Sequence, residues 1–175
     1  MTTHEVEYLL ETLSDVVAAQ PADHPLRRVD RDTSRVYETD STLDMQAPLY
    51  TRKEKLEAAN FVGAASQTTD PTPAGPNQRY ELSTTASIRL EALTRDGGAY
   101  GHVHPEGEDG APAFDELFRS VFDAVRAEMS YPDVGRPGVN YRDLTITNVD
   151  EQLADFKDFY RAEFDVQFRG YTDTP

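Results

Sequence analysis

The sequence predicts an α+β fold: an antiparallel sheet with a long hairpin, and two amphipathic helices packed on one face. Three observations lead there. Two segments repeat their apolar residues with helical period, two repeat them with strand period, and a proline-rich stretch separates two candidate strands. At 175 residues the chain fits a single domain spanning 1–175, with extended loops at about 67–78 and 95–111.

The first helix is predicted from Val6, Leu9, Leu10, Leu13, Val16 and Val17, which fall on one stripe. Thr2 and Glu5 have capping-box spacing, and Pro21 stops the run. The second is predicted from Phe114, Leu117, Phe118, Val121, Phe122, Val125 and Met129. Pro112 suits a first helical turn, Asp115 and Glu116 complement the dipole there, and Pro132 ends the segment. Three phenylalanines on one stripe suit a helix lying across a sheet.

From Tyr80, the even positions Tyr80, Leu82, Thr84, Ala86, Ile88, Leu90 and Ala92 alternate with Glu81, Ser83, Thr85, Ser87, Arg89 and Glu91. This gives one buried and one wet face over about 40 Å. The C-terminal segment repeats the pattern: Tyr160, Ala162, Phe164, Val166 and Phe168 face one way, Arg161, Glu163, Asp165, Gln167 and Arg169 the other. Weaker strand candidates are Ser34–Thr39, Leu56–Ser66 and Tyr141–Val149. Between two strands lies Thr68–Asn77, with Pro71, Pro73, Gly75 and Pro76, read as the loop at a hairpin tip.

Charge narrows the function. The chain has 32 acidic and 17 basic residues, a net charge of −15, no cysteine and no tryptophan. Only Lys53, Lys55 and Lys157 are lysines; the other basic residues are arginines. Lack of cysteine removes disulfides, thiolate nucleophiles and cysteine-ligated metals. So acidic a surface repels nucleic acid and anionic membranes. No apolar run approaches the ~20 residues of a membrane helix, and the N-terminus has no signal-peptide pattern. The carboxylates are interspersed rather than blocked, and lysine is depleted, a composition similar to that of haloarchaeal proteins. Multi-molar salt would screen their repulsion, with a Debye length of ~3 Å at 1 M.

Candidate chemistry is sparse. His102-Val103-His104 with Glu108 is the one metal-like cluster: histidines at i and i+2 of an extended chain share a side, and Glu108 adds an oxygen ligand. The spacing resembles the first half of a cupin signature, but His4 and His24, the other histidines, both lie upstream. A polar, glycine-rich surface loop is the simpler reading, so no metal or cofactor is expected. There is no Gly-x-Ser-x-Gly elbow, phosphate loop or dinucleotide fingerprint, and Gly135-Arg136-Pro137-Gly138 has only turn chemistry. No enzyme activity is expected. Asp158, Glu163 and Asp165 read as the solvated face of a strand. Phe156 and Phe159 precede the strand register, and read as a turn on the sheet edge or as an anchor for a neighbouring subunit.

The order of elements, closing on Asp158-Phe159-Tyr160-Arg161-Ala162-Glu163-Phe164-Asp165-Val166-Gln167-Phe168, resembles the tail terminator and tail-completion proteins of tailed viruses. Departures are the enlarged loops at Asp70–Asn77 and Arg95–Ala111 and an extra segment near Leu43–Lys55. The resemblance implies a structural virion protein of a haloarchaeal tailed virus, assembled in the cytoplasm of a halophilic host. It would form a ring, usually hexameric, at the head–tail neck or top of the tail. Its partners would be copies of itself and neighbouring neck or tail-tube proteins, with DNA passing through without tight binding and no membrane contact. Pro71, Pro73, Pro76, Phe156, Phe159, Arg161, Asp165 and Arg169 are the candidate partner-facing residues. The rival expectation is a small halophilic enzyme or metal-binding protein using the His102–Glu108 loop.

Overall fold

The computed structural model describes residues 3–22, 25–37, 59–75, 79–93, 113–150 and 159–173. The chain begins with α1 (His4–Thr12) and α2 (Ser14–Ala18), followed by β1 (Leu26–Asp30) and β2 (Arg35–Val36). The long strands β3 (Asn60–Pro73) and β4 (Tyr80–Leu93) come next, then α3 (Phe114–Arg126), β5 (Val139–Asp150) and β6 (Phe159–Thr172). Six strands form one sheet in the order β2-β1-β3-β4-β6-β5. The sheet is antiparallel except for β1, which runs parallel to β3, so it is mixed.

The predicted alternation holds along both strands except at Glu91, which was expected on the wet face and is buried. In β4 Leu82, Thr84, Ala86, Ile88, Leu90 and Ala92 are buried, and in β6 Ala162, Phe164, Val166 and Phe168 are. These side chains and the apolar stripes of α1 and α3 make one core. Phe164 is its hub: the rings of Phe118 and Phe122 meet it edge-on at 5.9 and 5.6 Å. Tyr8 of α1 meets Phe168 edge-on at 6.1 Å. Both helices therefore lie on the same face of the sheet, as the sequence predicts.

The first helix differs in two respects. It breaks at Leu13 (φ −87°, ψ 4°), which separates α1 from α2. There the Leu13 amide donates to the Leu10 carbonyl, Thr12 Oγ1 to the Tyr8 carbonyl and Ser14 Oγ to the Glu11 carbonyl. Such short-range bonds from hydroxyls bend helices. Arg28 of β1 also donates to the Leu10 carbonyl at 2.9 Å, giving it a second donor beside the Leu13 amide. The cap is also Thr3 rather than Thr2: Thr3 Oγ1 accepts from the Val6 amide at 3.4 Å. Glu5 does not close a capping box, because its carboxylate is buried under the helix.

Three strand readings are corrected. Residues 67–73, expected in the first extended loop, are the outer half of β3, paired with β4 as far as Pro73↔Tyr80. Proline is tolerated in a strand where its ring nitrogen faces away from the ladder. Here β1 pairs with β3 only through Ala64, so beyond it the far side of β3 has no strand among the described residues. Strand β1 is absent from the sequence reading, and of the candidate Ser34–Thr39 the described residues form only the two-residue β2, residues 38–39 lying outside them. The 95–111 loop and the Leu43–Lys55 segment lie outside the described residues. No helix among the described residues is long and apolar enough to cross a membrane.

Candidate interaction face

The helices cover one face of the sheet; among the described residues none covers the other. That second face carries the odd-numbered side chains of β4 and β6, and at its β1 end Val29, Phe61 and Glu91 are buried. Both strands contain Arg-x-Glu, as Arg89-Leu90-Glu91 and Arg161-Ala162-Glu163. Because the strands are antiparallel, the register places Arg89 opposite Glu163 and Glu91 opposite Arg161. Opposite charges directly across a ladder stabilise the pairing. Arg89 Nε donates to Glu163 Oε1, and Arg161 Nη2 lies 3.6 Å from Glu91 Oε2. The second pair is deep, with Glu91 1% and Arg161 13% exposed.

A fifth charge joins the quartet from outside the two strands. Arg31 follows β1, and its amide donates to the Ala64 carbonyl. Its side chain then lies flat across β3 at Gly63, where an added Cβ would be 2.5 Å from Arg31 Cδ. Only a residue without a side chain leaves that passage open. Arg31 Nη1 reaches Ser87 Oγ on β4 at 3.4 Å. Burial pushes the Arg31 guanidinium below its usual value, and the neighbouring positive charge of Arg89 adds to this.

Further along the face the groups are polar and mutually satisfied. Asp165 accepts from Gln67 at 3.0 Å and from Asn148 at 2.8 Å, tying β3 and β5 to β6. Gln167 donates to Ser83 at 2.9 Å, and Arg169 to the opposing Asp143 at 2.9 Å. A different surface lies beside α3, where Phe122, Arg126, Met129, Thr145 and Ile146 line a shallow groove of about 290 Å³.

Of the residues predicted to face partners, Arg161, Asp165 and Arg169 share this second face, though each is held by a neighbour within the chain. Pro71 and Pro73 are exposed on β3. Phe159 opens β6 opposite Leu93, which corrects its reading as part of a turn. Pro76, Phe156, His102, His104 and Glu108 lie outside the described residues. Among the described residues no group of His, Cys, Asp and Glu is arranged to hold a metal ion. Arg31, Gly63, Arg89 and Glu91 escape the sequence reading as a site. The repeated Arg-x-Glu is the signal that could have found the quartet, whereas the seat of Arg31 on Gly63 depends on β1 pairing with β3.

No protein-family model matches the chain, and a search of curated proteins gives no match.

Proposed function

We propose that this chain is a structural subunit of a closed ring at the head–tail neck or top of the tail of a haloarchaeal tailed virus, acting as a tail terminator or tail-completion protein without catalytic chemistry. The observation that carries the reading is the one-sided sheet. Its 14-residue strands β3, β4 and β6 bear helices on one face, paired charged and polar side chains of β4 and β6 on the other, and a hairpin whose β3 arm is exposed from Ser66 to Pro73. Rings need two unlike surfaces per subunit, and the polar part of the second face, around Asp165 and Arg169, and the exposed arm are two such surfaces on one subunit.

The charge distribution supports the same reading. Glu7, Glu11, Asp15, Asp70, Glu81, Glu116, Asp123, Glu128, Asp133, Asp150 and Asp173 are all exposed. A ring wall of this sign repels DNA passing through it rather than holding it.

Light scattering on the full 19.6 kDa chain in ~3 M salt tests the proposal, alone and mixed with a tail-tube protein. The expected result is a discrete closed oligomer, near six chains, in at least one condition. A monomer in both would overturn it.

A further inference from the structure

The outer side of α3 carries a charge pattern that is its own complement when reversed. Glu116, Arg119, Asp123 and Arg126 are three, four and three residues apart, so they share one stripe, opposite the stripe of Leu117, Val121 and Val125 that enters the core. All of them are exposed, and their signs run minus, plus, minus, plus. Such alternation can support a single helix through pairs three or four residues apart. Here only Arg119 is paired, with Asp115 at 3.2 Å, outside the stripe. Glu116, Asp123 and Arg126 make no side-chain hydrogen bond or ion pair among the described residues. Beside the stripe runs an apolar seam between α3 and β5. Two shallow hollows of about 290 and 390 Å³ lie along it, and Phe122 and Arg126 border both. Met129 and Val149 line the seam and are 46% and 49% exposed, which with Tyr131 makes them the most open large apolar side chains among the described residues.

We propose that this face of α3 packs against the same face of a second copy, antiparallel and across a two-fold axis. Charge complementarity selects the occupant. The antiparallel register that sets Arg119 opposite the partner's Asp123 also sets Glu116 opposite the partner's Arg126, and the two-fold repeats both pairs. No like charges then meet directly, whereas a parallel arrangement would set each charge against its own sign. The charges fix direction and register. The driving force is the seam, where Phe122, Met129 and Val149 leave water together. Salt weakens exposed ion pairs and leaves this apolar part in place. A two-fold contact cannot by itself close a ring, so this face is distinct from the unlike surfaces of the ring reading and does not depend on them. It joins copies in pairs, whatever else they assemble into.

The test is light scattering against concentration on the full chain in ~1 M potassium chloride, where a Debye length of ~3 Å screens the net charge but not groups in contact. Arg126→Glu and Glu116→Arg each set like charges against one another in the antiparallel register. The double variant, Glu116→Arg with Arg126→Glu, restores both pairs with the signs exchanged. A mixture of the two single variants does the same, because each chain presents the charge that the other lacks. The expected result is association weakened about tenfold or more in each single variant, and recovered in the double variant and in the mixture. Val149→Asp should weaken association without such rescue. Circular dichroism of the charge variants should match that of the native protein, since both positions are exposed. Single variants that associate as the native protein does, or a mixture that associates no better than either variant alone, overturn the inference. So does a native protein that stays monomeric. A native ring whose mass is unchanged by Arg126→Glu overturns it and leaves the ring reading standing, whereas native pairs that grow no further support it and count against the ring.

Discussion

Glu5 in the first turn of α1 accepts a hydrogen bond of 2.7 Å from Tyr141 Oη in β5, 136 positions away in the chain. Thr84 of β4 lies 2.8 Å from the same oxygen. A carboxylate can only accept, so the tyrosine proton goes to Glu5 and the Thr84 hydroxyl donates in turn. Arg136 Nη1 completes the group at 3.1 Å from Glu5 Oε1. The N-terminal helix is thereby fastened to the sheet by a satisfied polar cluster within an apolar layer.

Tyr141→Phe leaves Glu5 paired with Arg136 and removes one bond to a buried charge, so chemical denaturation is expected to show a loss of about 1.5–3 kcal/mol. Glu5→Ala should cost a similar amount despite removing a charge, because Tyr141 keeps Thr84 as a partner and Arg136 can turn to water. A Tyr141→Phe protein as stable as the native one would remove the cluster from any account of stability.

Alkaline pH probes three phenols at once. Burial, then the bond to Glu11, pushes Tyr37 up to about 12. Burial also raises Tyr8, helped by Glu128, and Tyr141, helped by Glu5. A phenol whose value is higher folded than unfolded binds its proton more tightly in the native state. Its stabilisation is complete below the ordinary value of 10.0 and is lost as pH rises through the folded one, a window of 10.0 to about 12 for Tyr37. Absorbance titration of the nine tyrosines should therefore show two steps, the later accompanied by unfolding. Tyr37→Phe should shrink the later step. A single step near pH 10, with secondary structure intact, would contradict the burial of these rings.

Two glycines should respond oppositely to a methyl group. At Gly170, opposite Tyr141, an added Cβ would lie 2.0 Å from the Asn140 carbonyl oxygen and 2.6 Å from Tyr141 Cα, both backbone atoms. Gly170→Ala must push β5 off β6, and a loss above about 3 kcal/mol is expected. At Gly63 the obstacle is the flexible Arg31 side chain, which can swing away, so Gly63→Ala should change stability by no more than about 1 kcal/mol. Equal losses at the two positions in thermal unfolding would refute the distinction.

What was legible in the sequence follows from which physical signals are local. The alternation of Tyr80–Ala92 and Tyr160–Phe168 and the stripe of Phe114–Val125 needed no partner to be read, and each took the face assigned to it. β1 was not legible because Arg27 and Arg28 interrupt its apolar residues, and Arg28 serves groups distant in sequence, among them the Leu10 carbonyl and the Ser14 hydroxyl. Glu5 had the spacing of a cap, but Tyr141 and Arg136 draw it inward. Gly135–Gly138 was read as a turn and is one, with Gly135 and Gly138 at φ 71° and 75°, yet the turn also aims Arg136 at Glu5. The hairpin tip was misread for a related reason: proline argues against a strand only where both edges are paired.

That misreading leads to the last prediction. The outer edge of β3 is closed in stages. Through Ala64 it pairs with β1; at Ser66 the amide is taken by the Asp32 carboxylate; beyond lie Pro71 and Pro73. The register shift between Ser66 and Thr68 moves the outward-facing amides from even to odd positions, so both prolines fall where an N–H would otherwise point off the sheet. They remove donors from an edge that could template pairing with another chain. Replacing both, as Pro71→Thr with Pro73→Thr, restores two donors and two β-favouring side chains. The variant should keep the native fold but form larger, open-ended assemblies whose size grows with concentration. The native protein, with its edge blunted, should stop at a defined size. Identical light-scattering profiles for the two would mean that this edge is protected by something other than the prolines.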